Sequence, residues 1–248
     1  MNWKRFAVGA SLIFVLAIVL GSALCACSQD AKAPYPSMAP LDQYLMDRNA
    51  EIALARSAAP ESISRDAEIV VLGQHGYETA VKGNNGFVCD VERSWMGPFE
   101  NNPEFWNPKV RGAGCYNPQA ARSALPIAYL RTKMVLAGLS PAQLADRIKA
   151  AYAKKELPPV EPGAMSFMMS KQAYLTDAGL TEDGAHNMAH VMFFTPLMDT
   201  ANWGANLPKS PVILNPQFNG APEPVEVYMV LTGTWSDGTP APVIKDAQ

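Results

Sequence analysis

Phe87-Val88-Cys89-Asp90-Val91-Glu92-Arg93-Ser94-Trp95 is the stretch on which the fold turns. Its side chains alternate. Phe87, Cys89, Val91 and Trp95 fall on one side of an extended chain, interrupted only by Arg93, and Val88, Asp90, Glu92 and Ser94 fall on the other. The strand predicted over residues 87–95 follows Gly83-Asn84-Asn85-Gly86, a turn because Asn and Gly tolerate positive φ. Two more strands precede that turn, Glu68 to Gly73 and Tyr77 to Lys82. Cys89 stands on the apolar side, where a buried disulfide belongs. Asp90 and Glu92 share the other side. Two carboxylates on one face can do acid/base work, but a face of an antiparallel sheet turned to water is the favoured expectation for them.

Beyond the strand, residues 96–118 are rich in Asn, Pro and Gly and carry Trp106, Cys115 and Tyr116. A loop this long needs a staple or a function, and a Cys89–Cys115 bond supplies the staple. Trp95, Phe99, Phe105, Trp106 and Tyr116 cluster in and beside it. They can grip a sugar or a peptide, but packing the loop down is the favoured role, and Trp95, Trp106 and Tyr116 are the candidate binding residues. Gln119 to Leu139 reads as helix restarted at Pro126, with Gly138 as its C-terminal cap. Ser140-Pro141-Ala142-Gln143 has the form of a capping box with Pro in the first turn, opening a helix to about Lys155. Strands are then expected at Met165 to Ser170, Met188 to Thr195, Pro211 to Leu214 and Val225 to Thr234. Upstream, Leu41 to Ala58 reads as helix stopped by Pro60. The fold class expected is α+β, a mainly antiparallel sheet with inserted helices and one disulfide-stapled loop.

The other end of the chain speaks of address. Lys4 and Arg5 precede an uncharged apolar run, Phe6 to Leu24, and Leu24-Cys25-Ala26-Cys27 matches what a lipoprotein signal peptidase accepts. Residues 1–26 are read as a signal peptide, Cys27 as the lipidated residue, 27–40 as a Pro-rich tether and 41–248 as a single α+β domain. Ordinary cleavage after Ala26 or Ala33, or an uncleaved anchor, are the competing readings. The expected location is extracytoplasmic, tied to a bacterial membrane through lipid on Cys27, and to the outer membrane if the cell is Gram-negative. Without residues 1–26 the chain keeps 222 residues and a formal charge of −5, since only Lys4 and Arg5 leave with the signal. A mildly acidic chain without a Lys/Arg cluster is a poor partner for nucleic acid. Cys89 and Cys115 then remain as one pair in an oxidising compartment, the setting of a structural disulfide.

The order Asn85-Gly86-Phe87-Val88-Cys89, Val91-Glu92-Arg93-Ser94, a second Cys-Tyr pair, two helices and His190-Val191-Met192-Phe193-Phe194 resembles a group of uncharacterised secreted bacterial proteins with no assigned activity. The likeness covers roughly residues 68–231. Ala189 and Phe194 stand where that group has Pro and Tyr. The resemblance implies a secreted domain and brings no catalytic residues.

Candidate chemistry is sparse. His186 and His190 are four apart, a metal-binding spacing on a helix, yet on a strand that spacing separates the rings by about 13 Å. A zinc protease would need Glu where Asn187 stands. A site of His75, His186 and His190, helped by Glu182 or Asp183, is the metal reading. Met188, His190 and Met192 on one strand face would suit Cu(I), although methionine is also a common core filler. Gly-x-Ser-x-Gly, Ser-x-x-Lys and a phosphate-binding Gly-rich loop are all missing. The expectation is a non-catalytic envelope protein that binds an unknown protein partner or small ligand, its cofactor, if any, unknown. A metal-binding protein or metal-dependent enzyme built on His186 and His190 is the alternative.

Overall fold

Apolar β-branched runs such as Glu226-Val227-Tyr228-Met229-Val230-Leu231 become the strands of one sheet, and the capped, Ala-rich segments between them become helices. The computed structural model describes residues 35–181, 183–221 and 223–242. Cys27, the signal segment, most of the tether and Glu182 lie outside these residues. In chain order the elements are α1 (Arg48–Arg56), α2 (Glu61–Ser64), β1 (Glu68–Gly73), β2 (Gly76–Val81), β3 (Val88–Glu92), β4 (Gly112–Tyr116), α3 (Pro118–Ser123), α4 (Leu125–Leu136), α5 (Pro141–Ala153), β5 (Met165–Met168), β6 (His190–Thr195), β7 (Val212–Leu214) and β8 (Glu226–Leu231). The strands form an eight-stranded sheet in the order β2-β1-β3-β4-β5-β6-β8-β7. Every neighbouring pair is antiparallel except β1 and β3. The class is α+β, as expected. None of the described helices is long and apolar enough to cross a membrane.

Register decides what each face carries. Val88, Tyr116, Ser166, Met192 and Met229 form one row across five strands, so their side chains share a face. Asp90 and Glu92 lie on that same face of β3. It is covered by α3, α4 and α5, whose Leu125, Ile127, Val135, Leu144 and Ile148 are buried in the larger core. The opposite face carries Ile69, Cys89, Val91, Ala113 and Cys115 against Ala55 and its neighbours at the end of α1. The sheet is therefore a middle layer with helices on both sides.

Local signals of helix ends are obeyed. Ser140 and Gln143 form the reciprocal capping box at the start of α5. Gly138 follows α4 at φ +76°, a left-handed conformation glycine adopts freely. The helix read over 119–139 breaks at Ala124 into α3 and α4, with Pro126 in the first turn of the second. The helix expected over 41–58 is shorter: a single 3-10 turn at Leu41–Gln43 comes first, and α1 begins only after Asp47, whose side chain accepts from the Ala50 N–H.

Three expectations need correction. The strand read over 87–95 ends at Glu92, because Arg93 turns inward to a buried partner and Ser94–Met96 make a 3-10 turn. Cys115 is not in the loop but in β4, directly opposite Cys89, so the disulfide ties strand to strand at the base of the loop between them. Asp90 and Glu92 do not lie on a solvated face: α4 and the loop cover them, and Asp90 is fully buried.

Candidate functional site

Between the covered face of the sheet, α4, the β3–β4 loop, residues 215–218, Glu223 and Val225 lies a cavity of about 350 Å³. Its floor is the sheet itself, with Glu92 on β3, Tyr116 on β4, Met168 on β5, His190 and Met192 on β6 and Met229 on β8. Its roof includes Ala128 and Arg131 of α4, and one wall includes Gln217 and Glu223. The loop that closes it is held in place from within. Trp95 is fully buried and its indole N–H donates to Thr132 Oγ1 at 3.2 Å. Ser94 Oγ donates to the Phe105 carbonyl at 2.6 Å, and Asn102 Nδ2 to the Ser94 carbonyl at 2.8 Å.

Two glycines make room for the carboxylates. Gly114 pairs with Asp90 and Gly112 with Glu92 across the β3–β4 ladder. A Cβ on Gly114 would stand 2.8 Å from Glu92 Oε1 and 3.3 Å from Asp90 Oδ1. Three tyrosines surround the pair. Tyr116 Oη donates to Glu92 Oε1, Tyr129 Oη donates to Asp90 Oδ2 at 3.2 Å, and the Tyr77 ring stacks on Tyr129 at 4.9 Å. Asp90 Oδ1 is buried without a partner. Burial, and then the neighbouring Glu92 charge, push the Asp90 carboxyl well above the usual range. Burial pushes Glu92 up to about 7. The three phenols are likewise raised by burial.

The nearby cations are already engaged. Arg93 is buried and donates to Glu51 Oε1 at 2.9 Å and to the Tyr44 carbonyl at 2.7 Å. Arg131 is buried and donates to Glu223 Oε1 and to the Met96 carbonyl. Glu223 Oε2 has no partner.

His190 projects into the same space. Its Nδ1–H donates to the Met188 carbonyl at 2.8 Å, which leaves Nε2 as a lone-pair acceptor. Burial lowers its affinity for a proton, so the ring is held neutral. Met188, Met192 and Met229 line the cavity around it.

The three histidines of the metal reading are not brought together. His75 lies in the β1–β2 turn, and β1 is four strands from β6, roughly 20 Å at sheet spacing. His186 stacks on Tyr174 and hydrogen-bonds the Thr176 carbonyl, away from the cavity lining. Among the described residues no three His, Cys, Asp or Glu side chains are grouped to hold a metal ion. The candidate binding aromatics also separate. Trp95 is core, Trp106 packs edge-on against Phe105 and its carbonyl accepts from Tyr44, and Tyr116 faces the cavity. Sequence reading did not single out Arg131, Glu223, Gly112 or Gly114, because what matters about them is which strand or helix lies opposite.

Comparison with protein-family models, curated proteins and solved structures finds no match for this chain.

Proposed function

We propose that this chain is an extracytoplasmic, lipid-anchored domain that binds a small molecule in the cavity over the β3–β8 face, without catalysing a reaction on it. The observation that carries this reading is the cavity: mainly apolar walls with a few polar groups, Glu92, His190 and Glu223, projecting into it, the usual build of a small-molecule site. The address rests on Cys27 and the apolar segment before it.

The test is small-molecule release. The full-length chain is purified from membranes into nanodiscs, denatured, and its released small molecules are compared by mass spectrometry with those of an Ala128→Phe variant. Ala128 is buried in the roof, so a phenyl ring there occupies cavity volume. The reading expects a compound released by the wild type in near-equal amount to protein and depleted from the variant. A wild type that releases nothing and shows no melting shift with any member of a chemically diverse library contradicts it.

A further inference from the structure

Resting on that reading of the cavity, we propose that its ligand is an organic ammonium ion with a small apolar body, its charged end at Glu92 beside Asp90 and its apolar end over the methionines. The charge and hydrogen-bond inventory leads there. The lining holds three carboxylates, Glu92, Glu104 and Glu223, against two guanidiniums, Arg93 and Arg131, and Asp90 lies directly behind Glu92. Arg93 is bound to Glu51 and Arg131 to Glu223. Glu104 is satisfied by Asn107, Thr176 and the Asp177 N–H. Glu92 and Asp90 are left without a cation.

Three acceptors in or just behind the lining are unmet. Asp90 Oδ1 and Glu223 Oε2 are buried oxygens with no donor. His190 Nε2 is an acceptor, because Nδ1 carries the proton. Unmet acceptors beside an unpaired carboxylate are complementary to a ligand that brings N–H groups and positive charge, and a buried acceptor left unmet costs roughly 1–3 kcal/mol. An anionic ligand would meet three lining carboxylates and, among the described residues, no unpaired lining guanidinium. The Tyr116 and Phe194 rings, stacked at 5.9 Å in the same lining, offer aromatic faces that an ammonium favours. Thioethers of Met168, Met192 and Met229 pack an alkyl body and adapt to its shape.

Isothermal titration of the full-length chain in phosphatidylcholine nanodiscs at pH 8, with empty nanodiscs as blank, compares n-hexylammonium with 1-hexanol, its neutral counterpart. The wild type is expected to bind one hexylammonium per chain at least about tenfold more tightly than hexanol, the scale of a charge-assisted hydrogen bond in a shielded site. In Glu92→Gln, which keeps the side-chain size and an acceptor for Tyr116, hexylammonium is expected to fall to the hexanol level while hexanol is unchanged. Equal affinity for the two probes in the wild type, or an amine preference that survives Glu92→Gln, overturns the ammonium assignment and leaves the cavity reading standing. Binding of neither probe overturns both. Should Glu92→Gln fail to fold, the wild-type comparison alone decides.

Discussion

Asp90 and Gly114 stand opposite each other on β3 and β4, and the side chain that Gly114 lacks is the space the Asp90 and Glu92 carboxylates occupy. A glycine in a central strand weakens it, by entropy and lost packing. Here Gly112 and Gly114 alternate with Ala113 and Cys115, so both vacancies open on the cavity face, while the opposite face keeps its side chains and the disulfide.

Gly114→Ala is therefore expected to act on the carboxylates more than on the backbone, since Gly114 is not among the positive-φ residues. Its Cβ meets Glu92 Oε1 at 2.8 Å and Tyr116 Cε2 at 3.1 Å. Overpacking of this kind costs roughly 1–3 kcal/mol. Urea denaturation should show that loss, and hexylammonium binding should weaken with it. Wild-type stability in the variant would place the carboxylates elsewhere.

Stability should fall with rising pH in a way that depends on Glu92. Its carboxyl titrates near 4.5 when unfolded and at about 7 when folded, so between those values the folded chain holds more protons and loses stability as pH rises. Asp90 contributes with the same sign. His190 has the opposite sign below its ordinary value of 6.5, because burial lowers it. Tyr116 and Tyr129 face the pair, and burial raises both phenols, so they stay neutral throughout. Comparing Glu92→Gln with wild type isolates Glu92: from pH 5 to pH 8 the wild type should lose on the order of 2 kcal/mol relative to the variant. Parallel pH profiles in urea melts would contradict this.

The Arg93–Glu51 pair is buried on both sides, with side-chain exposures of 0% and 1%. Glu51 Oε1 also accepts from the Leu72 N–H at 3.0 Å. Removing one partner leaves a charge without compensation, so Arg93→Met should cost roughly 3–5 kcal/mol. Glu51→Leu combined with Arg93→Met should cost less than the two single losses together, which a double-mutant cycle measures.

Replacing both Cys89 and Cys115 with Ala opens a loop whose ends are 26 residues apart in sequence. The expected loss is about 3 kcal/mol. Because Trp95 and Ser94 hold the loop independently, the variant should still fold and keep its near-ultraviolet tryptophan signal. Collapse of that signal would mean the disulfide alone orders the loop.

What could be read from the sequence was local. The capping box at Ser140, the break at Pro126 and Gly138 follow from interactions within a few residues and stand where expected, and the period-two segments are strands with shorter bounds. The Asp90–Glu92 face was misread because alternation shows that two faces differ, not what covers them. Here a helix more than thirty residues downstream in sequence supplies Tyr129 and buries them. Gly112-Ala113-Gly114 reads as loop on propensity, and only pairing with β3 shows why glycine suits those positions. The histidine spacing left helix and strand readings open, and β6 begins at His190, leaving His186 in the preceding segment.

The central claim is that the cavity is the ligand site, and its methionines report on it directly. With ¹³C-methyl-labelled methionine in the full-length chain, n-hexylammonium should shift the methyl signals of Met96, Met168, Met188, Met192 and Met229, which line the cavity, and leave Met46 and Met198, which do not. Calorimetric binding that leaves those five signals in place, or that moves Met46 or Met198 instead, would contradict the account.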